Sequence, residues 1–281
     1  MTQKIKEIKT IEWFDDRFYK VCYVPEGETE TLAVYAPSVT TILSVAPKPF
    51  LAHWRGEIGN REAEAQIFDS QERGKRIHHA WHMLCKGGRA VFNPYTHPQY
   101  TREQLITFEK EKPLAVLTTQ DEWWALIKLV EFMKVTKAEI VETEKTVFSE
   151  ARIEAGTLDN VFRVEKGSYP VNGAKPLTIE TSGLYIADLK TGKSIYDEAF
   201  LQLSAYERFY FEMTGNEIAG GLILHTSSQN KKGIEGLGVT VITRNEFARH
   251  FEEYDLLSKL WHRHHEHLQP VVRELPTEVS L

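Results

Sequence analysis

The chain has 281 residues, 42% hydrophobic and 26% charged, with 34 Lys or Arg against 40 Asp or Glu and a formal charge of -6. These fractions describe an ordinary globular protein rather than a disordered, fibrous or membrane-spanning one. The net acidity excludes a uniformly basic nucleic-acid coat but leaves room for a local basic channel. Two cysteines, Cys22 and Cys85, are too few for a disulfide scaffold of this size or for a four-cysteine zinc or iron–sulfur site. Both are expected as reduced core thiols of a cytoplasmic protein. The opening MTQKIKEIKTIEWFDD has no apolar h-region, and no run approaches 18 apolar residues, so neither a secretory signal nor a spanning helix is expected.

Residues 8–24 alternate apolar and polar about an Asp15-Asp16 turn, and 30–36 continue the pattern, which predicts a small sheet within 1–36. Ser38 suits the N-cap of a short helix over 39–45, stopped by Pro47 and Pro49. Residues 58–86 predict a long helix and 101–110 another. Thr119, with Glu122 three residues later, predicts the capping box of a third. In that helix Trp123, Leu126, Ile127, Val130 and Met133 follow helical spacing, so Trp123 and Trp124 are expected in the core rather than stacked on bases. Residues 37–138 thus form a helical part.

Beyond it, 139–148, 152–164 and 183–190 predict strands, with 166–175 as a hairpin loop between the last two. A helix over 196–213, strands over 217–226 and 237–243 and a helix over 244–267 come next, then a tail over 268–281. The order β-β-β-α-β-β-α predicts an α/β domain with a mixed central sheet flanked by helices, the sheet core lying within 139–267 of a single domain spanning 1–281.

Two segments carry residues suited to chemistry: Gly156-Thr157-Leu158-Asp159 in the second of these strands and Asp188-Leu189-Lys190 at the end of the third. In an extended chain residues two apart share a side, so Asp188 and Lys190 present a carboxylate and an ammonium to one face. An Asp on a neighbouring strand could place its carboxylate beside Asp188. Two such carboxylates repel unless a cation separates them, and Mg²⁺ or Mn²⁺ prefers oxygen ligands of this kind. The ion polarises a phosphoryl oxygen and lowers the pKa of a bound water, while a lysine offsets charge on the phosphoryl oxygens. That is the equipment for hydrolysing a phosphodiester. Strand-end carboxylates salt-bridged to Lys190 are the plainer reading of the same residues.

Other residues fall in order around these. Gly74-Lys75-Arg76-Ile77-His78 lies on the long helix, Glu144 in the first strand, and Gln202 and Tyr206 share one face of the helix after Asp188-Leu189-Lys190-Thr191-Gly192. The ordered set Gly-x-x-x-His, Glu, Gly-x-x-Asp, Asp-x-Lys-Thr-Gly and Gln-x-x-x-Tyr resembles the RecB-like branch of the PD-(D/E)XK nuclease superfamily. Pro37-Ser38-Val39-Thr40-Thr41-Ile42-Leu43 looks like a segment of phage and bacterial exonucleases related to the mitochondrial genome maintenance exonuclease. The resemblance covers residues 37–243. It implies a restriction-endonuclease-like core with an N-terminal hairpin and a helical insertion. It also implies that Asp159 and Asp188 bind metal, that the Leu189 carbonyl is a further ligand, and that Lys190 is the catalytic lysine. His78, selected over His79 by the spacing, matches a metal-ligating histidine. Glu144 matches the first-strand glutamate, with Glu142 as the alternative, and Gln202 and Tyr206 match the motif that braces the site. The implied cofactor is Mg²⁺ or Mn²⁺ without an iron–sulfur cluster, because the four cysteines of the cluster-bearing members are missing.

The expected activity is therefore a metal-dependent DNA exonuclease acting on single strands or DNA ends, in recombination, repair or phage DNA processing, as a monomer or small homo-oligomer. A flap or structure-specific endonuclease of the same superfamily and a DNA-binding protein with an inactive site are the alternatives. Residues 187–194 (ADLKTGKS) also fit a permissive P-loop, but Asp188 and Lys190 replace the small residues that a phosphate cradle needs. Residues 44–100 hold eight Lys or Arg against five Asp or Glu, an excess of three. Arg73, Lys75 and Arg76 beside His78 are the expected phosphate contacts, with Ser38, Thr40 and Lys193 as further DNA-binding residues. Trp54 or Phe50 would stack on an unpaired base or pack in the core. The His-rich stretch 261–267 is expected on a solvated helix face, and His82 in packing.

Overall fold

The computed structural model describes residues 4–13, 16–93, 114–172, 175–226, 237–266, 268 and 270. Strands β1 (Lys4–Trp13), β2 (Asp16–Val24) and β3 (Leu32–Pro37) form an antiparallel meander, in register from Lys4↔Val24 to Trp13↔Asp16. The expected Asp15-Asp16 turn is displaced: Asp16 already pairs, and residues 14–15 lie outside the described residues. Tyr19, Val21 and Tyr23 alternate onto one face and pack on Phe148 and Ala155.

Helix α1 (Val39–Leu43) starts where expected, with the Ser38 hydroxyl accepting the Thr41 N–H at 2.9 Å. Pro49 does not stop a helix but opens α2 (Pro49–Ile58), in the first turn where a missing N–H costs nothing. None of the α2 residues is buried, and Phe50 is exposed. Gly59, at φ 84, breaks the chain before α3 (Asn60–Cys85), so the helix expected from residue 58 begins later. Strands β4 (Arg89–Phe92) and β5 (Leu114–Leu117) pair in parallel, a small sheet too short to leave a periodic signal.

Helix α4 (Gln120–Thr136) is capped by Thr119, which accepts the Glu122 N–H at 3.3 Å. The Glu122 carboxylate does not complete a capping box; it is buried and paired with Arg76. Trp123 packs in the core beside Phe92, but Trp124 is exposed, contrary to expectation. The helix expected over 101–110 lies outside the described residues.

The central sheet comprises β6 (Glu139–Ser149), β7 (Glu154–Val164), β10 (Gly183–Lys190), β11 (Gly220–His225) and β12 (Gly238–Thr243). Its order is β12-β11-β10-β7-β6, with β10 and β11 parallel and the other pairs antiparallel. A parallel pair needs a crossover, here supplied by α5 (Asp197–Thr214). The expected loop over 166–175 is instead a hairpin of β8 (Gly167–Asn172) and β9 (Lys175–Ile179). Helix α6 (Arg244–His264) leaves β12 through a Thr243–Glu246 capping box.

Helices α1, α5 and α6 cover one face of the sheet, packing on Leu158, Val161, Ile186 and Ile223. Helices α3 and α4 cover the other, against Phe162, Tyr185, Ala187 and Leu222. The expected mixed sheet flanked by helices is therefore present. Among the described residues no helix is long and apolar enough to cross a membrane. The end of α6 is not a purely solvated face: Trp261 is buried and stacked on His265, and His262 contacts the buried carboxylate of Glu154 at 3.1 Å.

Candidate metal centre

The register Ala187↔Asn160 sets Asp188 and Asp159 next to one another on adjacent strands β10 and β7. One Asp159 oxygen accepts the Leu189 N–H at 2.7 Å, and the other lies 3.5 Å from His78 Nδ1. His78 reaches the sheet because α3 approaches β10 closely: a Cβ on Gly74 would lie 3.0 Å from the Thr191 hydroxyl oxygen. Glu144 arrives from β6 on left-handed backbone, φ 49, where a side chain other than glycine's costs of order 1 kcal/mol or more. Ligand atoms of His78, Glu144 and Asp159 all fall within 4.8 Å of one another.

Asp188 is buried, and its Oδ2 lies 2.8 Å from Lys190 Nζ. Lys190 also donates to Gln202 Oε1 at 2.9 Å, and Gln202 Nε2 donates to the Tyr206 oxygen at 3.0 Å. Tyr206 fits because residue 156 is glycine: a Cβ there would run into Tyr206 Cε1. These groups, with Arg17, Thr40, Lys75, Thr157 and Leu189, line an open cleft of about 640 Å³.

The electrostatics come from burial and sign. Burial works against a charged His78, yet Asp159 and Asp188 outweigh it and hold the imidazole up at about 9. Burial raises Asp159, but His78, the Leu189 N–H and Lys190 prevail and keep it below the usual carboxylate range. Asp188 is raised by burial, with Lys190 opposing and Asp159 adding. Glu144 is raised by burial and then by Asp159. Lys190 resists its own burial because Asp188 holds it charged.

An imidazole and two carboxylates converging this closely carry the donor chemistry of a divalent-cation site. Asp188 Oδ2 adds a buried oxygen that makes no well-aligned hydrogen bond and has Lys190 as its ion-pair partner. The residues present fit a divalent cation: the carboxylates suit Mg²⁺ or Mn²⁺, and the imidazole also suits softer ions such as Zn²⁺. Glu144 joins the group, whereas Glu142 pairs with Lys145 at 3.2 Å. His79 is exposed, so the structure brings in His78 and not its neighbour. His82 bonds the Thr143 hydroxyl at 3.0 Å.

The expected phosphate contacts are placed differently. Arg73 ion-pairs with Asp121 and donates to the carbonyls of Thr191 at 2.7 Å and Thr226 at 3.4 Å, bracing α3 against the ends of β10 and β11. Arg76 is tied to Glu122 and Lys75 to Glu72, each at 2.7 Å. Of these three only Lys75 lines the cleft. Ser38 is buried as the α1 cap; Thr40 lines the cleft; Lys193 is exposed in the loop after β10. Arg17 lines the cleft without having been singled out, since it belongs to no spaced motif; Thr157, an unspecified position within Gly156-Thr157-Leu158-Asp159, lines it too.

Behind the site, Cys85 receives a hydrogen bond from Asn160 Nδ2 at 3.5 Å, and the Asn160 oxygen accepts from Trp81 Nε1 at 2.7 Å. Burial pushes the Cys85 thiol up to about 11, with Asn160 opposing. Only the thiolate alkylates, so at pH 8 the native thiol should react about a hundredfold more slowly than in urea. Peptide-mapped iodoacetamide labelling from pH 7 to 11 checks this. The native rate should keep rising up to about pH 11, and equal native and unfolded rates at pH 8 would contradict it.

The chain matches no family model, and a comparison with curated proteins found no match.

Proposed function

We propose that the protein is a metal-dependent deoxyribonuclease with a PD-(D/E)XK-type core, an exonuclease acting on single-stranded DNA or DNA ends. The observation that supports it best is the convergence of His78, Glu144 and Asp159 beside the buried Asp188–Lys190 pair. A bound divalent cation supplies Lewis acidity toward a phosphoryl oxygen and acidifies a water. His78, Glu144 and Asp159 would hold it, with Asp188 alongside. Lys190, fixed by Asp188 and Gln202, sets a positive charge in the cleft where negative charge builds up during phosphodiester hydrolysis. Gln202 and Tyr206 keep the lysine in place. An endonuclease built on the same residues is the second reading, favoured by the cleft lying open at the surface. DNA is the proposed partner and the cytoplasm the proposed location.

Digestion of end-labelled single-stranded, duplex and covalently closed circular DNA with Mn²⁺ or Mg²⁺ tests this. Loss of single strands from their ends is expected, and EDTA should stop it. Cutting of closed circles would favour the endonuclease. No cleavage of any DNA with either ion would refute the proposal.

A further inference from the structure

We propose that Arg17 is a substrate-positioning residue whose guanidinium takes a phosphate of the strand lying across the cleft. This rests on the nuclease reading above. Arg17 is the second residue of β2, and its backbone is fixed from both sides. Its N–H donates to the Thr41 hydroxyl oxygen at 3.0 Å, and its carbonyl accepts the Thr41 hydroxyl at 3.0 Å and the Ser38 N–H at 2.9 Å. Ser38 and Thr41 are the buried cap turn of α1. Two residues along, the Tyr19 hydroxyl bonds that of Thr157 at 3.0 Å, tying β2 to the strand that carries Asp159. The base of the Arg17 side chain is thereby set rigidly against the catalytic sheet.

The side chain itself is about half exposed and lines the cleft with Glu144, Thr157, Asp159 and Tyr206. Its carboxylate partner is Glu12, 3.2 Å away and well exposed. Exposed pairs of this kind hold weakly and exchange readily for a better partner. Lys190 is firmly engaged by Asp188 and Gln202, and Arg73 by Asp121 and two carbonyls, whereas Lys75, like Arg17, has a carboxylate partner at the surface, Glu72. A guanidinium presents a planar fork of donors that matches phosphate oxygens. Arg17 comes from the N-terminal sheet, whereas Lys75 and His78 come from α3, so a strand in the cleft would meet cations from two separate elements.

Binding of a labelled single-stranded oligonucleotide in EDTA, read by anisotropy across a salt series, tests the assignment. Arg17→Ala should weaken binding about tenfold and flatten the slope of log K against log salt by about 1. In cleavage with Mn²⁺, KM should rise about tenfold while kcat stays within about threefold. Arg17→Lys should restore the slope and only part of the affinity. Glu12→Ala, which frees the guanidinium, should keep the wild-type slope. A folded Arg17→Ala protein with unchanged slope and KM, or one that loses kcat alone, overturns the role of Arg17 and leaves the nuclease reading standing. A wild-type protein that neither binds nor cleaves DNA overturns both. Should Arg17→Ala not fold, Arg17→Gln decides on the same readouts.

Discussion

Asp159→Asn should abolish cleavage, by at least about 1000-fold in single-turnover rate, while leaving the fold intact. Asparagine keeps the shape, and its carbonyl oxygen can still accept the Leu189 N–H that Asp159 takes at 2.7 Å. The variant loses the charge shared among His78, Glu144 and a cation. Apparent affinity for Mn²⁺, read as a shift in melting temperature against metal concentration, should fall with the rate. DNA binding in EDTA should hold or tighten, since the change removes an acidic group from the cleft proposed to take phosphates. Lys190→Met makes the complementary case. It removes the positive charge but leaves Asp188 buried without its ion-pair partner, so stability should drop along with activity. Full activity in a folded Asp159→Asn protein would sink the assignment of the centre.

The second large effect is on stability and lies away from the cleft. Glu154, at the start of β7, is 0% exposed and accepts from the Tyr254 hydroxyl at 2.8 Å, from Ser258, and bonds His262 at 3.1 Å. Arg152 approaches it at 4.0 Å and is itself paired with Asp255. This one carboxylate therefore fastens α6 to the central sheet. Glu154→Ala leaves a void and strands several buried polar groups at once, which should cost about 3–5 kcal/mol. In a chain of this size that is a melting temperature lower by roughly 10 °C. Glu154→Gln keeps the volume and should lose less. Cleavage measured well below the melting point should survive, because Glu154 stands about 16 Å along β7 from Asp159 at the rise of an extended strand. A Glu154→Ala melting point within about 2 °C of wild type would show that the cluster is not a clamp.

Much of this was legible in the chain. The central strands announce themselves by apolar runs; spacing put Asp188 with Lys190 and Gln202 with Tyr206, and the family resemblance joined them to Asp159 in what is one cleft. His78 was separable from His79 for the same reason. Other features were hidden because their cause is tertiary. Arg73 and Arg76 look like free cations, yet they answer carboxylates on α4 that no local pattern connects to them. A proline such as Pro49 can end one helix or begin another, and the glycine at 59 decided the matter only in three dimensions. The strand pair β4–β5 has four residues on each side, fewer than a period needs to show itself. Arg17 sits among polar residues of an exposed strand start, and only the fold brings it to the carboxylates.

The left-handed backbone at Glu144 and the close approaches at Gly74 and Gly156 share a consequence for how the protein comes into being. His78, Glu144, Asp159 and Lys190 stand on α3, β6, β7 and β10; the β6–β7 hairpin brings Glu144 and Asp159 together, and α3 and β10 must dock on it to add the other two. The cleft needs all four elements, since its lining comes from each of them. Long-range closure of this kind comes late and is entropically costly. The complete cluster therefore exists only once α3 and the central sheet have come together.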